Sequence, residues 1–371
     1  MRPVCTVRDV IDIMNRIAPP ELAMERDVVG LQLGRLDKPV QSVWLALDPY
    51  PAVIDAAVAA GADLLITHHA MLFRPVQRID TGTARGRTIA AALAHDLAVF
   101  NAHTNLDIAE GGVNDVLAER LGLSECEVLE RTRTEGLRKL VVFVPVSHHE
   151  AVLQAVCAAG AGHIGAYSHC TFNTEGTGTF LPLEGAQPFL GEVGRLERAA
   201  EVRLETVVPE SKLEPVVRAM LEAHPYEEVA YDIYPLQLMG KVSGIGRVGR
   251  LFRPMPLGDF ADHVRERLGL AHIRFSGDPK LTVERVAVLG GSGGRFAASA
   301  IAKGAQVLVT SDCDHHTVAE AWQDGLAIVD ATHAALERPV LDKIRERLAR
   351  ELPDGVTIEI ADVPEDPFQW I

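Results

Sequence analysis

The chain has 371 residues, 47% hydrophobic and 23% charged, with a formal net charge of −15. This length suits two or three domains with ample core material, and the acidic balance argues against direct binding to a nucleic-acid backbone. The apolar runs fall short of the roughly 18 residues of a membrane helix, the charged stretch "MRPVCTVRDVIDIMNRIAPP" does not read as a signal peptide, and five scattered cysteines without C-x-x-C spacing indicate reduced thiols in a cytoplasmic protein.

In chain order, "SVWLALD" (42–48) reads as a strand, "PAVIDAAVAAGA" as a helix and "DLLIT" (63–67) as a second buried strand. A helix over "GRTIAAALAHD" and a strand over "LAVFNAHT" follow. The alternation resumes at "VERVAVLGGSGG" and continues through "RFAASAIAKGA", "QVLVTSDCDHH", "TVAEAWQDG" and "LAIVDATHAALE". Strands alternating with helices indicate an α/β fold. The two series also echo one another. "GADLLITHH" (61–69) matches "GAQVLVTSDCDHH" (304–316), and "LAVFNAHTNLD" matches "LAIVDATHAALE" with a one-residue slip. We read this as a duplicated three-layer α/β core.

The segment between the series has another pattern: strand, helix and strands, then strand, helix and strand. That is the order of an α+β ferredoxin-like domain. Its second helix, in "PESKLEPVVRAMLEAHP", has Ser211 in capping position and Pro225 just past its end. The expected division is 1–136 for the N-terminal half of the core, 137–236 for the inserted domain and 237–371 for the C-terminal half.

Chemistry-bearing residues gather at the expected strand ends, where α/β folds place ligands. His68 and His69 follow one strand, and His103 with Asp107 follows another. In the second series His333 and Glu337 repeat the four-residue histidine-to-carboxylate spacing, which puts both on one face of a helix. Imidazole and carboxylate together suit zinc, manganese, iron or nickel, and carboxylates can bridge two ions. Each stretch has a plainer reading. The histidine pair can end a strand, Asn105 and Asp107 can cap the following helix, and Thr332 can cap "HAALE". Their recurrence at matching places in a duplicated unit favours metal.

Other motifs carry less. "GGSGG" (290–294) lacks both a P-loop lysine and a G-x-G-x-x-G pattern, so it reads as a tight turn or cavity-lining loop. His148 and His149 read as surface residues, and "HPYEE" (224–228) as a packing and turn feature. Cys313 lies among acids, which disfavours a thiolate.

Taken together, "DVVGLQLG", "ITHHAMLF", "AHTNLD" and "DATHAALERPVL" resemble the NIF-three-like family, whose bacterial members are often labelled type 2 homologues of GTP cyclohydrolase I. "GAGHIGAYSHCTF", "GTGTF" and "HPYEEVAYDIY" are similar to the CutA/PII-like domain inserted in its longer bacterial members. The resemblance implies a toroidal homohexamer with dinuclear metal centres facing an internal cavity. It implies two divalent ions per subunit, zinc first with manganese, iron or nickel as alternatives, held by His68, His69, Asp107, His333 and Glu337. Val28 departs from the family pattern, standing where many members have asparagine. "SDCDHH" is variable in the family, which leaves His315 and His316 outside the implied ligand set. The function expected is that of a metal-dependent hydrolase acting on a nucleotide-like or other small substrate, with His103 or His316 moving protons; the alternative is a non-catalytic metal-handling or regulatory assembly. No membrane or direct nucleic-acid partner is expected.

Overall fold

The computed structural model describes residues 4–364 and 366–369. The first run of elements is α1 (Val7–Ile17), β1 (Gly30–Leu33), β2 (Ser42–Ala46), α2 (Pro51–Ala59), β3 (Leu64–Thr67) and α3 (Ala84–Ala94). It continues with β4 (Ala98–Asn101), α4 (Thr104–Ile108), α5 (Val113–Arg120) and β5 (Leu123–Thr134). The middle run is β6 (Leu137–Pro145), α6 (His149–Ala158), β7 (Thr171–Phe180), β8 (Glu197–Pro209), α7 (Leu213–Ala223) and β9 (Tyr231–Leu236). The last begins with β10 (Val242–Pro256), α8 (Leu257–Arg267), β11 (Arg274–Phe275), β12 (Thr282–Ser292), α9 (Ala297–Ala302) and β13 (Val307–Ser311). It ends with α10 (His315–Gln323), β14 (Ala327–Asp330), α11 (His333–Glu337), α12 (Pro339–Glu351) and β15 (Thr357–Ile360). The chain divides into two compact units, one of Met1–Arg133 with Ser243–Ile371 and one of Thr134–Val242.

In the first unit the duplication is visible strand by strand. Among the described residues one sheet has the order β1-β4-β3-β2-β15 and another the order β11-β14-β13-β12-β10-β5. In the first, β4, β3 and β2 are parallel and β1 lies antiparallel on β4. In the second, β14, β13 and β12 are parallel and β11 lies antiparallel on β14. The same four-strand module thus occurs twice. The parallel strands of each module are buried on both faces, which explains their continuous apolar runs. Leu45, Leu64 and Phe100 pack against α1 and α12, while Trp44, Leu65 and Val99 pack against α2 and α3. Val286 and Val307 pack with Phe260 of α8, while Ala287 and Leu308 pack with Ala300 of α9. Local signals agree with this packing: Thr6 and Asp9 form a reciprocal capping box at the start of α1.

The carboxyl ends of β3, β4 and β14 lead directly into His68, His103 and His333. The one-residue slip in the sequence match has a structural origin. His103 stands two positions after the end of β4, and His333 three positions after the end of β14.

The second unit has the element order βαββαβ and the antiparallel sheet order β7-β8-β6-β9, a ferredoxin-like arrangement. One face of the sheet, with Leu140, Val142 and Leu204, packs against Val152 and Val156 of α6 and Val216 and Met220 of α7. Ser211 does not cap α7. A 3₁₀ turn over Glu210–Lys212 precedes the helix, and the Ser211 hydroxyl donates to the Glu135 carboxylate instead.

Candidate metal centre

Four histidines of the first unit share one hydrogen-bonding pattern. His68 Nδ1 lies 3.0 Å from the carbonyl of Ala102, and His69 Nδ1 lies 2.9 Å from Asp48 Oδ1. His103 Nδ1 lies 2.9 Å from Asp27 Oδ1, and His333 Nδ1 lies 2.6 Å from Asp312 Oδ2. An Nδ1–H committed to an oxygen leaves the Nε2 lone pair free, which is how metal-ligating histidines are oriented and made more basic.

The Nε2 atoms converge on two carboxylates. His68 Nε2 is 3.6 Å from Asp107 Oδ1 and 3.7 Å from Glu337 Oε1; His69 Nε2 is 3.3 Å from Glu337 Oε2; His333 Nε2 is 3.0 Å from Glu337 Oε1. The donor atoms of His68, His69 and His103 lie within 4.8 Å of one another, and so do those of His69, His333 and Glu337. His69 belongs to both groups. Buried polar atoms are nearly always hydrogen-bonded, yet His68 Nε2, Asp107 Oδ1, His333 Nε2 and Glu337 Oε2 are buried without such a partner. Orphaned atoms on ligand-type side chains at one place fit divalent cations.

Local structure explains how these side chains arrive there. Glu337 is buried at the end of the short helix α11, one turn beyond His333, and Thr332 caps that helix by accepting from Ala335 N–H. A capping Thr332 and the buried Glu337 carboxylate thus coexist in this segment. Asp107 occupies the equivalent place on α4, and it is not a helix cap: Asn105 takes the local polar role by accepting from the His103 N–H and donating to Ala18 O. The glycines of "GGSGG" make room. A Cβ at Gly291 would lie 2.5 Å from Glu337 Oε1 and 3.3 Å from the His333 ring, and Gly291 has φ +71°. The loop therefore lines the centre, and its backbone yields space to the Glu337 side chain.

Electrostatics divide the centre into a floor and a rim. The side chains of His68, Asp107 and Glu337 are at most 9% exposed, whereas those of His69, His103 and His333 are 23–36% exposed. Burial pushes the Asp107 carboxyl up to about 6. Burial also opposes charge on Glu337, but the charge of His68 and the close approach of the His333 and His69 rings hold it well below the carboxylate range. Burial of His69 is outweighed by Asp48 and Glu337, which raise it to about 10; the Glu337 contact raises His333 to about 9. Asp27 is held low despite its burial, through hydrogen bonds from His103 and Thr104. Protons and a divalent cation would compete for the same ring lone pairs.

A family model described as Duf34/NIF3 (NGG1p interacting factor 3) matches residues 5–367. The chain belongs to the Duf34/NIF3 family. A relative in Halalkalibacterium halodurans is 46% identical over 365 residues, covering 98% of each chain, and one in Bacillus subtilis is 46% identical over 367 residues with the same coverage. Both carry the name GTP cyclohydrolase 1 type 2 homolog. The crystal structure of a Bacillus cereus protein related to NIF3 superposes with a TM-score of 0.93 at 44% identity, covering all of both chains.

In this Duf34/NIF3 chain the five residues named as ligand candidates, His68, His69, Asp107, His333 and Glu337, stand together. His103, expected to move protons, has its ring 5.2 Å from that of His68 and 5.5 Å from that of His69. His316 belongs to neither donor group and is exposed on the first turn of α10, with its ring 5.4 Å from that of His315. The reason is a local insertion. Thr310 occupies the place in β13 that Thr67 occupies in β3, so Ser311 and Asp312 stand where the first module has His68 and His69. Cys313 is buried, and that burial with nearby Asp330 pushes its thiol up to about 12, leaving it unreactive. Sequence reasoning missed the carboxylates behind the histidines, Asp27, Asp48 and Asp312. Asp27 lies in "DVVGLQLG" beside Val28, whose backbone carbonyl accepts from the Asn101 side chain.

Proposed function

We propose that the protein is a dinuclear metal-binding hydrolase acting on a nucleotide-like or other small substrate. The observation that supports this most is the commitment of four Nδ1 atoms to backbone or carboxylate oxygens while unsatisfied Nε2 and carboxylate atoms face one another. His68, Asp107 and His103 would hold one ion, His333 and Glu337 the other, with His69 and the second Glu337 oxygen at the seam. Zinc is the first choice for this nitrogen-rich set. When bound, such ions supply Lewis-acid polarisation of a substrate oxygen and acidify water.

The residues of the chain have distinct tasks in this reading. Asp107 and Glu337 supply buried negative charge that keeps cations in place. Asp48, Asp27 and Asp312 fix three histidine rings and would stabilise a proton taken up at those rings. The exposed rim of His69, His103 and His333 faces the side from which substrate would approach. The neighbours of His103 favour a ligand role over proton transfer. The names of the relatives direct attention to nucleotide-like substrates.

We also read residues 137–236 as a domain inserted between core halves 1–136 and 237–371; the compact unit Thr134–Val242 supports that reading. The assembly proposed is a homohexamer in the cytoplasm. No described helix is long and apolar enough to cross a membrane.

Elemental analysis of the purified protein, with anomalous scattering at each metal edge, tests the centre: two ions per chain at the named residues are expected. A screen of the metal-loaded protein against nucleotides and phosphoesters tests the hydrolase. Absence of turnover there, with the ions bound, would overturn the enzymatic reading and leave the metal-handling alternative.

A further inference from the structure

The second unit contains a cavity of about 740 Å³ that the metal centre does not use. It lies over the face of the sheet opposite α6 and α7. Arg203 and Phe143 are register partners on β8 and β6, and Glu201 and Gly176 are partners on β8 and β7. All four line the cavity, whose walls are largely apolar and aromatic, including Phe180, Leu183, Phe189 and Tyr226. The Tyr226 ring stands 5.8 Å from Phe180 and 6.2 Å from Phe189.

A buried carboxylate sits within this aromatic shell. Glu201 is 8% exposed and accepts a 3.0 Å hydrogen bond from the Tyr226 hydroxyl. No ion pair holds it among the described residues. The nearby cation, Arg203, is engaged by Glu205 at 2.9 Å and lies over the Phe143 ring. Glu175, Glu227 and Glu228 add further negative charge to the lining. A buried charge without a counter-ion is costly, and supplying the counter-ion offsets that cost.

The "EGTGTF" stretch explains the shape. Gly178 has no Cβ because one would meet Glu201 Oε2 at 2.0 Å, so the carboxylate lies across the strand there. Gly176 faces open space, with nothing within 4 Å of a Cβ. Two glycines spaced by one residue clear the same face of β7. One accommodates the carboxylate and the other opens the cavity floor.

We propose that this cavity binds a small organic cation with an apolar or aromatic body, its charge set against Glu201 and its body among Phe143, Phe180, Phe189 and Tyr226. Aromatic faces and a carboxylate together select such ligands, because ring quadrupoles attract a weakly hydrated cation. Anions are disfavoured by the four lining carboxylates.

The test is ligand-observed NMR titration of the full chain with phenyltrimethylammonium and with tert-butylbenzene, isosteres that differ in charge. The cation should bind saturably and at least about tenfold more tightly than the neutral isostere. Glu201→Gln should weaken the cation about tenfold and leave the isostere unchanged. Gly176→Leu, whose Cβ meets nothing within 4 Å, extends a side chain over the floor and should abolish binding of both, with the circular dichroism spectrum unaltered. Equal affinity for the two isosteres, or retention of cation binding in Gly176→Leu, overturns the proposal. Should Glu201→Gln fail to fold, the isostere comparison and Gly176→Leu decide the question alone.

Discussion

His68 Nε2 and Asp107 Oδ1 face each other at 3.6 Å, both buried and neither hydrogen-bonded. The separation is long for a hydrogen bond but close to the roughly 3.3 Å between two ligands of a tetrahedral zinc with bonds of 2.0–2.1 Å. Asp107→Asn keeps the shape and removes the charge. Metal affinity should fall more than about 100-fold, beyond the loss usual for an outer-shell change. The metal-free protein should hold or gain thermal stability, because burial already disfavours the Asp107 carboxylate. Chelator competition and melting curves measure the two effects; unchanged metal affinity would remove Asp107 from the ligand set.

The carboxylates behind the histidines should matter without touching an ion. Asp48→Asn and Asp27→Asn each replace a charged acceptor by a neutral one behind a ring that is now held at 2.9 Å. Each should lower metal affinity about 10–100-fold. Competition with a calibrated chelator gives the numbers, and melting temperatures show whether the fold is retained.

Gly291→Ala should damage both stability and metal binding. The left-handed conformation alone costs a residue with a Cβ roughly 1–2 kcal/mol, and here that Cβ also meets Glu337 Oε1 at 2.5 Å. Loss of stability with full metal occupancy would show that Glu337 has room to move aside.

Metal loading should depend on pH with a definite sign. In the metal-free site His69 is raised to about 10 and His333 to about 9, so both rings hold protons at neutral pH. Relative to the unfolded chain, those protons stabilise the metal-free fold fully below pH 6.5, and that stabilisation is lost as pH rises from 6.5 through the raised values. Ions must displace them, so affinity should climb as pH rises from 6 to 9. Calorimetry at pH 7 in buffers of different ionisation enthalpy should register proton release on binding; none at all would contradict the prediction.

Acid should loosen the second unit through His224. Its Nε2 lies 3.0 Å from Phe143 O and its Nδ1 accepts from Tyr226 N–H at 3.1 Å, an arrangement that requires the neutral ring. Burial lowers its pKa below the ordinary 6.5. The unfolded chain then binds the proton more readily, so stability is intact above pH 6.5 and declines as pH falls through 6.5 toward the depressed folded value. Hydrogen exchange of residues 137–145 and 224–236 in the full chain, corrected for intrinsic rates, should report this decline. His224→Gln should flatten it.

Much of this molecule was legible in its residues. Buried parallel strands such as "DLLIT" and "QVLVT" announce themselves as continuous apolar runs, because helices cover both faces of the sheet. The repeated spacing from His103 to Asp107 and from His333 to Glu337 marks the duplication in the sequence itself. Local chemistry alone carried those readings. Only tertiary structure decided which polar residues meet. Asp27, Asp48 and Asp312 are separated in sequence from the histidines they hold by 76, 21 and 21 positions, so no periodicity reports them. The second histidine pair looked equivalent to the first, yet Ser311 and Asp312 take its place after β13 and carry His315 and His316 onto α10. Residue type and spacing announced a metal-suited set; the folding of two modules determined its members, because ligation depends on atoms within a few ångströms and not on neighbours along the chain.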